Sequence, residues 1–163
     1  MKKVYLAGGC FWGVEKYMSL IPGVVNTEVG YANGLTESPS YEDVCSGCTG
    51  HAETVLVEYD PDKIALSRLL ELFYEVIDPT SLNRQGPDIG TQYRSGVYYV
   101  DDGDFGAIDA SINKLEDQTS APVVVEVMRL ENYCAAEGYH QKYLEKNPQG
   151  YCHISKEKFT VKK

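Results

Sequence analysis

Residues 53–59, "ETVLVEY", alternate. Thr54, Leu56 and Glu58 fall on one side and Val55, Val57 and Tyr59 on the other, the period of a β-strand. Just downstream the period changes. Leu66, Leu69, Leu70, Phe73 and Ile77 recur at i, i+3 and i+4, which predicts a helix over 64–77. A strand is also expected near 3–8, and helical spacing predicts a helix from about Trp12 to Leu20. That helix has Val14, Tyr17, Met18 and Ile21 on one face and stops at Pro22-Gly23. A strand at 24–30 follows. Beyond residue 95 come a strand at 96–101, a helix at 104–118, a strand at 122–130 and a helix at 135–146. The order mixes β-β and β-α steps. It points to an antiparallel or mixed sheet covered by helices, an α+β plan.

Two segments carry no period: 30–52, rich in Gly, Ser, Thr and Tyr, and 78–95, "DPTSLNRQGPDIGTQYRS". Aperiodic stretches of this length in a compact domain are uncommon unless they bind or react, the alternative being variable surface loops. At 163 residues the chain suits one domain that buries roughly 70% of its unfolded surface. A formal charge of −9 argues against nucleic acid as a partner. The one basic cluster, Lys156, Lys158, Lys162 and Lys163, reads as a solvated end within an aperiodic, mobile tail over 147–163. "MKKVYLAGGC" has the look of a small lipoprotein signal. Its apolar run, Val4 to Ala7, is too short, however, and Glu15 and Lys16 follow at once. No stretch reaches transmembrane length, so the expectation is a cytoplasmic protein with no membrane partner. Five cysteines (Cys10, Cys45, Cys48, Cys134, Cys152) are then better read as reactive, metal-binding or inert than as a disulfide framework.

Three stretches carry candidate chemistry. In "GGCFWG", Cys10 stands between glycines at the predicted strand-to-helix turn. Unpaired N–H groups at the helix start would favour the thiolate and lower the pKa from about 8.5. Gly9 and Gly13 would let the backbone turn and a substrate approach, and Phe11 and Trp12 supply a flat apolar wall for a small methyl-bearing group. The alternative is a packed core cysteine beside an ordinary aromatic. In "TGHAE", Glu53 opens a strand two residues after His51; held on a buried face, its carboxyl would titrate high enough to donate a proton near neutral pH. By residue type alone, an exposed strand-end glutamate is the commoner fate. "DIGTQYRS" brings Asp88, Tyr93 and Arg94, and with Tyr41 from the earlier loop gives two phenols able to donate to an oxygen.

"GGCFWG", "YEDVCSGCTGHAE", "DIGTQYRS" and "EGYHQKYLEKNPQGYC" stand here in an order and spacing that resemble the methionine sulfoxide reductase A family, from about Lys3 to Cys152. "GCFWG" and "GTQYRS" are the most specific of these strings. The resemblance implies Cys10 as nucleophile, Phe11 and Trp12 as the methyl pocket and Glu53 as the acid. It implies Tyr41 and Tyr93 as binders of the sulfoxide oxygen, Asp88 as support, Cys152 as the resolving thiol and His140 in a structural role nearby. The reaction needs no metal or organic cofactor. Its partners would be the S epimer of methionine sulfoxide, free or in proteins, and thioredoxin as reductant, with the chain acting as a monomer. The expected fold is a two-layer α+β sandwich, its mixed, mostly antiparallel sheet built on a ferredoxin-like core.

Two features depart from the family's pattern: Cys48, which makes a CxxC pair with Cys45, and Gly138, where an acidic residue is usual and which would loosen the start of the last helix. The pair opens two rival readings. Cys45, Cys48 and His51 are half of a zinc signature, with Cys134, Cys152 or His153 as a fourth ligand, but no second pair completes it. A thioredoxin-like CxxC belongs at a strand-to-helix turn, whereas this one lies in a glycine-rich loop. Either cysteine of the pair also rivals Cys152 as partner for Cys10.

Overall fold

The structure, a computed structural model, describes residues 1–35, 40–46, 49–152, 154 and 159. Its regular core follows the periodicities. Strand β1 (Lys2–Gly8) leads into helix α1 (Phe11–Ser19), then β2 (Val24–Ala32), a short α2 (Tyr41–Cys45), β3 (Ala52–Tyr59) and α3 (Leu66–Tyr74). A two-residue pair β4 (Arg84–Gln85) and β5 (Asp88–Ile89) precedes β6 (Ser95–Tyr99), α4 (Phe105–Gln118), β7 (Glu126–Arg129), β8 (Tyr133–Ala135) and α5 (Tyr143–Lys146). Among the described residues the main sheet has the order β7-β6-β1-β3-β2-β8, antiparallel except for the β6–β7 pair. Its four central strands with α1 and α3 make a β-α-β-β-α-β unit of strand order β6-β1-β3-β2, the ferredoxin-like core.

β3 is central and buried on both faces, so its alternation separates two cores rather than core from solvent. Val55, Val57 and Tyr59 pack beneath the helices with Val14, Met18, Leu69 and Phe73. Each such aliphatic side chain contributes about 1.5–3 kcal/mol by leaving water. Ala52 and Leu56 face a smaller cluster with Tyr5, Ala7, Ala32 and Tyr98. Among the described residues no helix covers that second face; the sheet curls over it. β7 and β8 sit on opposite edges, yet only Leu130, Glu131 and Asn132 join them, a reach of at most roughly 14 Å. The curl brings Tyr5 of β1 within 5.0 Å, ring to ring, of Tyr133 on the β8 edge.

The chain departs from its periodicity mainly where tertiary hydrogen bonds compete. Residues 135–146 are not one helix. A 3-10 turn, Gly138–His140, gives way to Lys142 in the left-handed region (φ 52°) before the single turn of α5. The reason is visible in the partners. Gln141 binds both the N–H and the C=O of Val29 with its side chain, at 2.9 and 2.8 Å, and the Lys142 N–H donates to buried Glu15 at 2.8 Å. Gly138 therefore opens only this 3-10 turn and no α-helix, and nothing lies within 4 Å of where its Cβ would stand. The strand expected at 122–130 shrinks to β7, and the helix expected at 64–77 ends at Tyr74 although Val76 and Ile77 stay buried. Of the aperiodic segments, 30–52 holds the end of β2 and α2, the latter started by a capping box between Ser40 and Asp43. Segment 78–95 holds the β4–β5 pair and a 3-10 turn at Thr91–Tyr93.

Candidate active site

Gly9, at φ 86°, makes the sharp exit from β1 that only glycine adopts without strain, and Cys10 becomes the N-cap of α1. Gly13 is helical, not a turn residue, and the space at its Cα is taken by the chain's own tail: a Cβ there would lie 2.8 Å from Cys152 Sγ. Glu53 shares the β3 face of Val55 and Val57, only 1% exposed, and its Oε1 accepts from the Phe11 N–H at 3.2 Å. The carboxyl thus meets the start of α1 from below, beside Cys10. Oε2 has no hydrogen-bond partner among the described residues. Burial above all drives the Glu53 pKa to about 8, helped by the charge of Asp88, while the Phe11 N–H pulls the other way.

The helix start does not deliver the lowered thiol pKa that its geometry suggests. Burial pushes the Cys10 thiol up, and the charges of Glu53 and Asp88 add to the rise; the Trp12 N–H donating to the sulfur lowers it without winning. With Cys10 only 8% exposed, one N–H does not replace the water that a thiolate loses.

The two phenols close the arrangement. Tyr41 is held by α2, whose first N–H donates to Glu137 Oε2 at 3.0 Å, and its hydroxyl is hydrogen-bonded to the Cys45 thiol. Tyr93 comes from the 3-10 turn, where Glu53, Cys45, Asp88 and Cys10 all act on it electrostatically. Burial foremost raises both phenols, so both remain protonated donors. On the other side Trp12 Nε1 donates to His140 Nδ1 at 3.1 Å, and the indole stacks on Tyr143 at 3.8 Å and 11°. Phe11, 1% exposed, lies between Tyr31 and His140 and backs this wall, leaving Trp12 as its accessible part. Asp88 Oδ2 accepts from the Tyr151 hydroxyl at 2.7 Å, which ties the segment ahead of Cys152 to the site.

Cys10, Phe11, Trp12, Tyr41, Glu53, Asp88, Tyr93 and Cys152 thus converge on one end of the helix-covered face. Arg94 does not join them; its guanidinium pairs with Glu126 at 2.8 Å and pins the 3-10 turn to β7. His51 is buried against the backbone of Gly34. Cys134 lies on the edge strand β8 and Cys45 is exposed beside Tyr41, while Cys48, His153 and the four tail lysines fall outside the described residues. Glu137, Tyr143 and Tyr151 carried no chemical pattern of their own. Their only signal was membership of the strings "EGYHQKY" and "GYC". A groove of about 480 Å³ between α3 and α4, lined by Tyr74, Ser111 and Lys114, shares no residue with the site. Among the described residues no helix is long and apolar enough to cross a membrane.

The family model described as peptide methionine sulfoxide reductase matches residues 2–163. The chain is 60% identical over 154 residues to a peptide methionine sulfoxide reductase MsrA of Clostridium perfringens, covering 94% of this chain and 98% of that one. Mxr1 from Saccharomyces cerevisiae in reduced form superposes with a TM-score of 0.89 at 39% identity, over 94% of this chain and 91% of that chain. The same yeast protein in complex with Trx2 superposes at 0.60 and 27% identity, over 87% and 84% of the two chains. Full-length sequence similarity and a shared fold agree on one assignment: the chain belongs to the peptide methionine sulfoxide reductase family.

Proposed function

We propose that this reductase acts on the S epimer of methionine sulfoxide, with Cys10 as nucleophile and Glu53 as the acid that protonates the departing oxygen. The observation that carries the reading is Glu53, a buried carboxyl beside the thiol with a pKa near 8 and one oxygen uncommitted. Because Oε1 already accepts from Phe11, the proton of the neutral acid belongs on Oε2.

The sulfoxide oxygen accepts hydrogen bonds from the Tyr41 and Tyr93 phenols and from Glu53 Oε2, which draws electron density off sulfur. The substrate methyl rests against Trp12, with Phe11 behind it. The Cys10 thiolate attacks the sulfoxide sulfur while Glu53 gives its proton to the oxygen. As the S–O bond of the substrate breaks, oxygen passes to Cys10. Methionine leaves, and Cys10 remains as a sulfenic acid. Cys152 thiol condenses with it, forming the Cys10–Cys152 disulfide and one water; the dithiol of thioredoxin then reduces that bond and is itself oxidised. The chain works as a single domain, in the cytoplasm, where free thiols and thioredoxin persist.

The test is consumption of the separated S and R epimers, with dithiothreitol and with thioredoxin as reductants. The S epimer alone should disappear, under both reductants. Equal use of both epimers would overturn the assignment, and reduction of insulin disulfides without sulfoxide turnover would favour chemistry at Cys45 instead.

A further inference from the structure

Gly13 is the third residue of α1, and positions three apart on a helix share a face, so its Cα lies one turn from the Cys10 side chain. Its backbone is ordinary helix, in which alanine would be the better former, so the main chain does not ask for glycine. The surroundings do. The nearest atoms to a Cβ built on Gly13 all belong to the tail: Cys152 Sγ at 2.8 Å, then Ile154 Cδ1 at 3.2 Å and Cγ1 at 3.5 Å. Ile154 is 5% exposed and part of the main core, its carbonyl is 3.5 Å from Cys152 Sγ, and Tyr151 is bonded to Asp88 on the other side. The thiol is therefore held between two anchors and against a bare Cα.

We propose that Gly13 is a positioning residue for recycling: the side chain it lacks leaves the notch in which Cys152 waits, one helical turn from Cys10, ready to meet the sulfenic acid. The proposal rests on the reading that Cys152 resolves Cys10. The chemistry it serves is condensation of the Cys10 sulfenic acid with the Cys152 thiol, one S–S bond formed, one S–O bond broken and water released. A methyl at residue 13 displaces the waiting sulfur without adding any group to the reductase step.

The test is Gly13→Ala, alone and combined with Cys152→Ala. One equivalent of enzyme is mixed with excess S-sulfoxide without reductant; methionine release and Cys10–Cys152 disulfide formation are followed by rapid quench and peptide mapping. In Gly13→Ala the release of one methionine should stay within about twofold of wild type, while disulfide formation slows by roughly ten- to a hundredfold, the scale of an ångström-sized misplacement. Thioredoxin-driven turnover should fall with it and dithiothreitol-driven turnover should persist. If Gly13→Ala also loses the methionine burst, adding Cys152→Ala must restore it, because the clash is then with that sulfur. Disulfide formation at the wild-type rate overturns the proposal, as does a slow burst that Cys152→Ala fails to restore. Failure of the underlying reading looks different: the wild-type enzyme itself would form no Cys10–Cys152 bridge.

Discussion

The two halves of the site are held by different means. Cys10 and Glu53 stand on the most regular parts of the molecule, the N-cap of α1 and the central strand β3, within the main core. His140, Tyr143, Tyr151 and Cys152 stand on a stretch with little regular structure, fixed by individual contacts: a Trp12–His140 hydrogen bond, a stacked ring pair and a Tyr151–Asp88 bond. The difference fits the proposed chemistry. Attack on sulfur with concerted proton delivery needs groups fixed to a fraction of an ångström, which strands and helix ends supply. In the proposed recycling Cys152 bonds to Cys10 and the disulfide then meets an external dithiol, which requires motion, and single side-chain contacts of about a kcal/mol each release more readily than a buried strand.

The sharpest break falls on the rigid half. Cys10→Ser should reduce S-sulfoxide turnover to background with every reductant, since a hydroxyl is not an anion at neutral pH; residual turnover above a hundredth of wild type would move the nucleophile elsewhere. Glu53→Gln should slow the single-turnover burst by roughly 10²–10⁴, the usual worth of general acid catalysis. An unchanged burst would mean that another group supplies the proton.

A pH profile sharpens the same half. Attack needs Cys10 without its proton and Glu53 with one, so the reactive pair carries a single proton. With Glu53 raised to about 8 and Cys10 raised as well, the free enzyme holds both protons at pH 6 and loses the first near 8. Burst kcat/KM should therefore climb about tenfold per pH unit and level off above pH about 8, and that break should vanish in Glu53→Gln. A maximum near pH 6 would contradict it. Stability runs the other way. Between the ordinary 4.5 and about 8 the folded state keeps the Glu53 proton while the unfolded state loses it, so this group's contribution declines as pH rises through that window. A denaturant midpoint for wild type that falls across that window, relative to Glu53→Gln, checks the sign.

Changes on the side-chain-held half should spare chemistry. Cys152→Ser should keep one stoichiometric turnover and dithiothreitol-driven activity while losing most thioredoxin-driven turnover. Peptide maps showing Cys10 joined to Cys45 or Cys48 would transfer the role to that pair. Smallest of all, Tyr151→Phe removes one exposed hydrogen bond and should slow disulfide formation by about two- to fivefold, with the burst untouched. An equal loss in both phases would place Tyr151 with substrate instead.

Hydrophobic patterning located the six elements of the ferredoxin-like core, because burying one face of a strand or helix leaves its period in the residues themselves. The glycine-flanked Cys10 and the four motif strings likewise pointed to the family. Other things waited for the tertiary structure. The burial of Glu53, which makes an ordinary carboxyl into an acid near pH 8, depends on β3 lying at the centre of the sheet. The rise rather than fall of the Cys10 pKa depends on how little water reaches the helix start. The segment 135–146 has a helical pattern that Val29 and Glu15, over a hundred residues earlier, override with better hydrogen-bond partners. Gly13 reads as backbone freedom in the sequence and is instead room for a sulfur from residue 152. Periodicity records how each segment meets water, whereas solvation of a charge and contact across the chain belong to no segment alone and exist only once the fold has closed.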